Sequence, residues 1–316
     1  MKLGCSSSSY RAAFAAGRMD LRDWLRECAE EMEVDGVEIA CEHAVATDPT
    51  YLREIKRTCV DRQLTICAVS VQNDFGRDDE RTLEIEKVRR ASDVAAVLGA
   101  PLVAVLGSSL PTNRDPRDSG RIVGLLRKVF GDRQPNARAL WSEMTYALRQ
   151  CADYAGERGV AVALQNSESR GLASDLWQLE RCLHDAGASW LRAALDPAEL
   201  ADRRGIDRLL DRTVHVRARL RDIADDGSDR AVRWPEVVRA LQLGRYRGYL
   251  TIDYDGADPE AAVPRAARYL RGVMQLLGRQ QLLTPPVAVW SNGREAAVTV
   301  EGPADRTGVP AELSRR

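Results

Sequence analysis

The chain has 316 residues, 44% of them hydrophobic and 29% charged, with a formal net charge of −1. That composition suits a large core and argues against a dedicated nucleic-acid surface. No segment approaches the ~20 apolar residues of a membrane span, and the opening MKLGCSSSSY is too short an apolar stretch for a signal peptide. The seven cysteines form no C-x-x-C pair, so buried free thiols in a reducing cytoplasm are expected.

In chain order, short apolar runs alternate with amphipathic stretches. The candidate strands are KLGCS, GVEIACE, TICAVSV, PLVAVLG, VAVALQN, LRAALD, TVHVRARL and GYLTIDYD. Between them lie helical patterns such as LRDWLRECAEEM and TLEIEKVRRASDVAAVLGA, and Gly36, Gly99, Gly159 and Gly248 stand before strands where helix C-caps belong. Strand–helix alternation implies parallel pairing through right-handed crossovers, and eight units fit a closed (β/α)8 TIM barrel. An open doubly wound sheet would show a G-x-G-x-x-G after its first strand, and GCSSSSY supplies none. The barrel domain is assigned to residues 1–280. A C-terminal extension, residues 281–316, carries a β-hairpin signal around Asn292-Gly293 and a frayed end. The long connection after PLVAVLG should carry a short helix at residues 120–130.

In a closed barrel one strand face meets the helices and the other the lumen. On TVHVRARL, the alternation sends Val214, Val216, Ala218 and Leu220 outward, and His215, Arg217 and Arg219 inward. The same parity turns Glu38, Ala163, Gln165, Asp196 and Asp253 inward, towards the C-terminal rim where barrels carry their chemistry. Asn73, Asp74 and Phe75 of QNDFGRDD fall on that rim, as does His43 after the second strand; His184 falls on a helix surface.

The runs EVDGVEIA, SDVAAVLGAPLVAVLG, CADYAGERGVAVALQN, AALDPAEL, TVHVRARLRD and LGRYRGYLTIDYDG occur in an order that resembles the xylose-isomerase-like barrels of the sugar-phosphate isomerases and epimerases, over residues 2–278. The resemblance implies isomerase, epimerase or lyase chemistry and one divalent metal held at four strand ends. The matching positions here are Gln165, Asp196, Arg217 and Asp253. Arginine is cationic at working pH and has no lone pair to give. At ~4 Å from a second unit charge, with an effective dielectric of ~20, it repels by about 4 kcal/mol per unit charge. No cofactor is therefore expected, and at most a weakly held divalent metal. Three scattered histidines also exclude the multi-zinc centre of the family's endonuclease branch.

A guanidinium can instead hold an enolate through two parallel hydrogen bonds. The expected catalytic set is Arg217, Asp253, Asp196 and Glu199; the expected substrate contacts are Gln165, Asn166, Glu38, His43, Asn73, His215 and Arg219. The expected enzyme moves a proton next to a carbonyl on a small polyoxygenated or cyclic substrate, as an isomerase, epimerase or lyase, or as a cyclase or dehydratase tailoring a secondary metabolite. Its partner is a small molecule, with no nucleic acid or membrane, and a homodimer is plausible. Two alternatives stand beside it: a noncatalytic ligand-binding or partner barrel in which Arg217 makes only a structural ion pair, and a metal-dependent sugar isomerase or epimerase using a shifted ligand set such as Asp196, Glu199 and Asp253.

Overall fold

The computed structural model describes residues 1–44, 48–77, 80–109, 137–166, 171–200 and 205–283. The expected helix at residues 120–130 and the hairpin around Asn292-Gly293 lie outside them. The chain divides into two compact units, Met1–Leu277 and Gly278–Arg316.

In the first unit eight parallel strands close on themselves in chain order: β1 (Lys2–Ser6), β2 (Gly36–Ala40), β3 (Thr65–Ser70), β4 (Leu102–Val105), β5 (Ala161–Gln165), β6 (Leu191–Leu195), β7 (Thr213–Leu220) and β8 (Tyr249–Tyr254). β8 closes the ring on β1, with Gly4 opposite Thr251. The described α-helices are α1 (Arg11–Ala15), α2 (Leu21–Glu30), α3 (Pro49–Asp61), α4 (Arg81–Leu98), α5 (Ala137–Gly156), α6 (Leu176–Ala186), α7 (Trp234–Leu243) and α8 (Pro259–Leu283). Local chemistry sets their ends. Asp20 and Asp23 form a reciprocal capping box on α2, and Asp48 caps α3 ahead of Pro49. Gly99 ends α4 in the left-handed region, at φ 77°. Gly36 caps no helix. It opens β2, where a Cβ would come within 2.7 Å of the Thr65 carbonyl oxygen.

The core has two parts, as a barrel requires. The outward faces of the strands meet the helices in one large cluster that includes Leu3, Val37, Val69, Val103, Val162, Val216 and Leu250. The lumen floor is a small cluster of Cys67, Ala68, Leu102, Ala104, Ala163 and Ala194. Small side chains there leave room above them for the polar layer. The alternation on β7 breaks once: the pairing of β6 with β7 shifts register between Ala193 and Ala194, and Val214, expected outward, packs against the floor cluster. Phe75, expected on the rim, is fully buried in the outer core. All seven cysteines are free, and all but Cys41 are buried. Among the described residues no helix is long and apolar enough to cross a membrane.

Candidate active site

Above the floor, β7 turns three charged or titratable side chains inward in order of height: His215, Arg217 and Arg219. His215 and Arg217 are buried, and each reaches across the lumen to groups on other strands.

Arg217 is the hub. One terminal nitrogen lies 2.6 Å from Glu38 Oε1 on β2. The other donates to Gln165 Oε1 on β5 at 3.1 Å and sits 3.6 Å from Asp253 Oδ2 on β8. Its Nε is buried without a hydrogen-bond partner. Glu38 is wholly buried and uses both oxygens. Oε1 takes Arg217 and the Ser6 hydroxyl (2.9 Å), and Oε2 meets His215 Nε2 at 2.7 Å. Burial pushes this carboxyl up, but Arg217 and His215 outweigh it and hold Glu38 well below the usual carboxylate range. Ser6 Oγ is 2.7 Å from Ser8 Oγ, and Ser8 donates to Asp253 Oδ1 at 2.6 Å. A bridging chain of close oxygens therefore runs from buried Glu38 to Asp253 through two hydroxyls.

Arg219 makes the upper layer. Its Nε stands 3.0 Å from Asp196 Oδ2 and 3.7 Å from Asp253 Oδ2, and a terminal nitrogen is 3.5 Å from Glu199. The Asp196 contact is an ion pair without hydrogen-bond alignment, since that Nε has no hydrogen-bond partner. Glu199 is held more tightly by Arg221, at 2.6 Å. Gln165 links the layers by accepting from Arg217 and donating to Asp196 Oδ2 at 3.4 Å. Burial lifts the Asp196 carboxyl to about 7; Arg219 and Arg217 pull it down, while Glu199 and Asp253 push it further up.

A cavity of about 670 Å³ opens over this layer, a volume suited to a small ligand. Gln165, Arg217, Arg219, Asp253 and Asn73 line it. The other expected site residues stand behind its wall. Asn166 spends its amide on the backbone of Asp196, accepting from the N–H at 2.7 Å and donating to the carbonyl at 2.9 Å, so it ties β5 to the end of β6. Asn73 makes the same clamp on Leu106, with both bonds at 2.9 Å, and still faces the cavity. His43 bonds Ser7 Oγ at 2.9 Å and stacks on Phe14 at 4.0 Å; burial lowers it to about 4, so it is a neutral packing residue. Glu38, His215, Asp196 and Glu199 act on the residues of the wall from behind. Ser6 and Ser8 carry the bridge unannounced by any motif; their one signal is a run of hydroxyls at the rim end of β1. The Arg11–Asp255 ion pair and Ser108, whose buried Oγ has no partner, also line the cavity.

These features define the class: a (β/α)8 barrel with a polar, charge-paired site at its C-terminal rim. The chain belongs to the xylose isomerase-like TIM barrel family, whose description matches residues 26–273. No curated protein sequence matches it significantly. Among solved structures it is similar to an L-ribulose 3-epimerase (14% identity, 90% of this chain and 98% of that one, TM-score 0.67). It also resembles the 3-keto-D-glucoside 4-epimerase YcjR from E. coli (16%, 86% and 99%, 0.66) and a D-psicose 3-epimerase (13%, 87% and 98%, 0.66). At these identities the likeness is one of fold.

The divalent metal that the family resemblance implies is a poor match for these residues. Arg217, at one of the four positions the resemblance implies, has its charge already set against Glu38, and Gln165 offers a neutral amide. Among the described residues no group of three or more His, Cys, Asp or Glu is arranged to hold a metal ion.

Proposed function

We propose that this protein is an isomerase-, epimerase- or lyase-type enzyme that moves a proton next to a carbonyl on a small polyoxygenated or cyclic substrate, with protein cations in place of a tightly held metal. The observation that carries the reading is Arg217, buried at the strand ends and lining the cavity beside Asp253. The structural likeness to sugar epimerases supports the same reaction class.

Asp253 is the carboxylate of the expected catalytic set that reaches the cavity wall, so it is assigned as base. It takes the proton from the carbon next to the carbonyl. The C–H electron pair becomes the enolate, whose oxygen charge Arg217 and Arg219 stabilise. Return of the proton to the neighbouring carbon gives the isomer; the epimer forms when a water on the other face gives its proton to the carbon and Asp253 returns its own to the hydroxide left behind. Loss of a β-hydroxyl with a proton, as water, gives the lyase outcome. Two hydroxyl hydrogens serve three O···O gaps between Asp253 and Glu38. A proton gained by Asp253 therefore adds a hydrogen bond to the bridge rather than breaking one. Asp196 and Glu199 tune Arg219 from behind.

The reading includes a cytoplasmic setting, where the seven free thiols stay reduced, a homodimer, and a place in tailoring a secondary metabolite. A second reading is favoured by the commitment of Arg217 to Glu38 and Gln165: a noncatalytic barrel that binds a polar ligand over a structural ion pair. Incubation with keto sugars and cyclic polyols in D2O separates the two. Deuterium uptake next to a carbonyl, falling at least ~100-fold in Arg217→Ala, is the expected result. Binding of a member of the panel with no exchange at all favours the binder.

A further inference from the structure

The geometry points to Glu38 as the positioning residue of this site, a carboxylate behind the cavity wall that fixes the cation directly and the base through two serines. The inference rests on the proton-transfer reading for its kinetic consequence, but not for its structural one.

Glu38 has two arms. The first is the 2.6 Å contact to an Arg217 terminal nitrogen, the shortest contact that guanidinium makes among the described residues. The same nitrogen lies 3.4 Å from both serine hydroxyls, and the Nε has no partner. Without Glu38, Arg217 would be steered by Gln165 at 3.1 Å and Asp253 at 3.6 Å. Both of those line the cavity, so the cation would be drawn onto the base. The second arm is the Ser6–Ser8 bridge, with steps of 2.9, 2.7 and 2.6 Å, which ends on Asp253 Oδ1. It orients the base so that Oδ2 faces the two arginines.

His215 completes the device from below. Its Nε2 occupies the second Glu38 oxygen at 2.7 Å, which leaves Oε1 to the guanidinium and Ser6. Glu38, His215 and Ser6 are each buried and none of them lines the cavity, so none of the three takes part by touching substrate. A carboxylate whose hydrogen-bond partners among the described residues are the cation, Ser6 and the imidazole is built to hold those groups still.

The test uses the whole protein and two readouts. In the free protein, 15N–13C NMR of arginine side chains reports rotation of the Arg217 guanidinium. Separate terminal-nitrogen signals are expected in the wild type and one averaged signal in Glu38→Gln, which keeps shape and loses charge. On whichever sugar of the panel shows exchange, Glu38→Gln is expected to lower kcat about 100-fold with KM within about threefold, the mark of misplacement rather than lost binding. Ser6→Ala should lower kcat about tenfold. Added to Glu38→Gln, it should cost almost nothing more, because Ser6 acts through Glu38.

Unchanged Arg217 signals in Glu38→Gln overturn the assignment, whatever the sugars do. So does a kcat within about twofold of wild type, or full additivity of the two variants. Should Glu38→Gln fail to fold, Ser6→Ala alone decides, through kcat and through the Asp253 carboxyl shift measured by 13C NMR. An unmoved Asp253 signal overturns the bridge. Should no sugar exchange, the proton-transfer reading fails and the NMR arm still judges Glu38.

Discussion

Asp196 and Glu38 are both wholly buried carboxylates at the strand ends, yet they titrate in opposite directions. Burial lifts Asp196 to about 7, so the folded protein keeps that proton where the unfolded chain, with an ordinary aspartate at ~3.9, has lost it. Its contribution to stability is fully present below about pH 4 and is lost as pH rises through about 7. Asp196→Asn removes that slope. The urea midpoint of the variant should gain on the wild type steadily between about pH 4 and pH 8, and a constant difference would contradict the assignment. Glu38 is held low by Arg217 and His215 against the upward push of burial. Its stabilisation is present above the ordinary glutamate range and is lost as pH falls through the lower folded value. Glu38→Ala strands the Arg217 charge in the interior and should destabilise the fold by about 3–5 kcal/mol, read from urea unfolding at pH 7.

Among the elements, β7 was the most legible, because period-two alternation puts His215, Arg217 and Arg219 on one face with no further information. The floor was legible for a similar reason: alternating alanines on β5 and β6 meet in the lumen. Its packing is testable. Ala163→Leu should overfill the floor and cost about 1–3 kcal/mol in thermal or urea unfolding. A silent substitution would mean that the floor is loose. What the sequence concealed was whatever depends on a partner strand. Asn166 looks like a substrate contact until it is seen clamping the end of β6 from outside the cavity lining, and Asn73 clamps the next strand end as well as lining the cavity. Glu38 reads as a substrate contact from its strand parity alone; its place outside the cavity lining follows from the β7 side chains Arg217 and His215 that pair with it. Val214 reads as outward because a register shift between β6 and β7 leaves no mark on either strand alone. Ser6 and Ser8 were passed over because a hydroxyl acquires a role only from what stands 2.6–2.9 Å away. Helix ends follow rules that are local: Asp20→Ala removes the capping box of α2 and should cost about 1 kcal/mol.

At the scale of the molecule, the barrel brings groups from β1, β2, β5, β7 and β8, distant in sequence, to one rim. The family fold is kept, and at one of the strand ends where the resemblance implies a metal ligand this chain carries a fixed guanidinium. In the proposed reading a permanent cation supplied by the chain takes the metal's place, and it cannot be removed by dialysis. The measurement that bears on this most directly is deuterium exchange into a substrate of the panel after exhaustive dialysis against a chelator, with metal content read on the same sample. The account predicts that exchange persists at the undialysed rate with metal far below one equivalent, and that Arg217→Ala abolishes it. Exchange that disappears on chelation and returns with added manganese, magnesium or cobalt would contradict it.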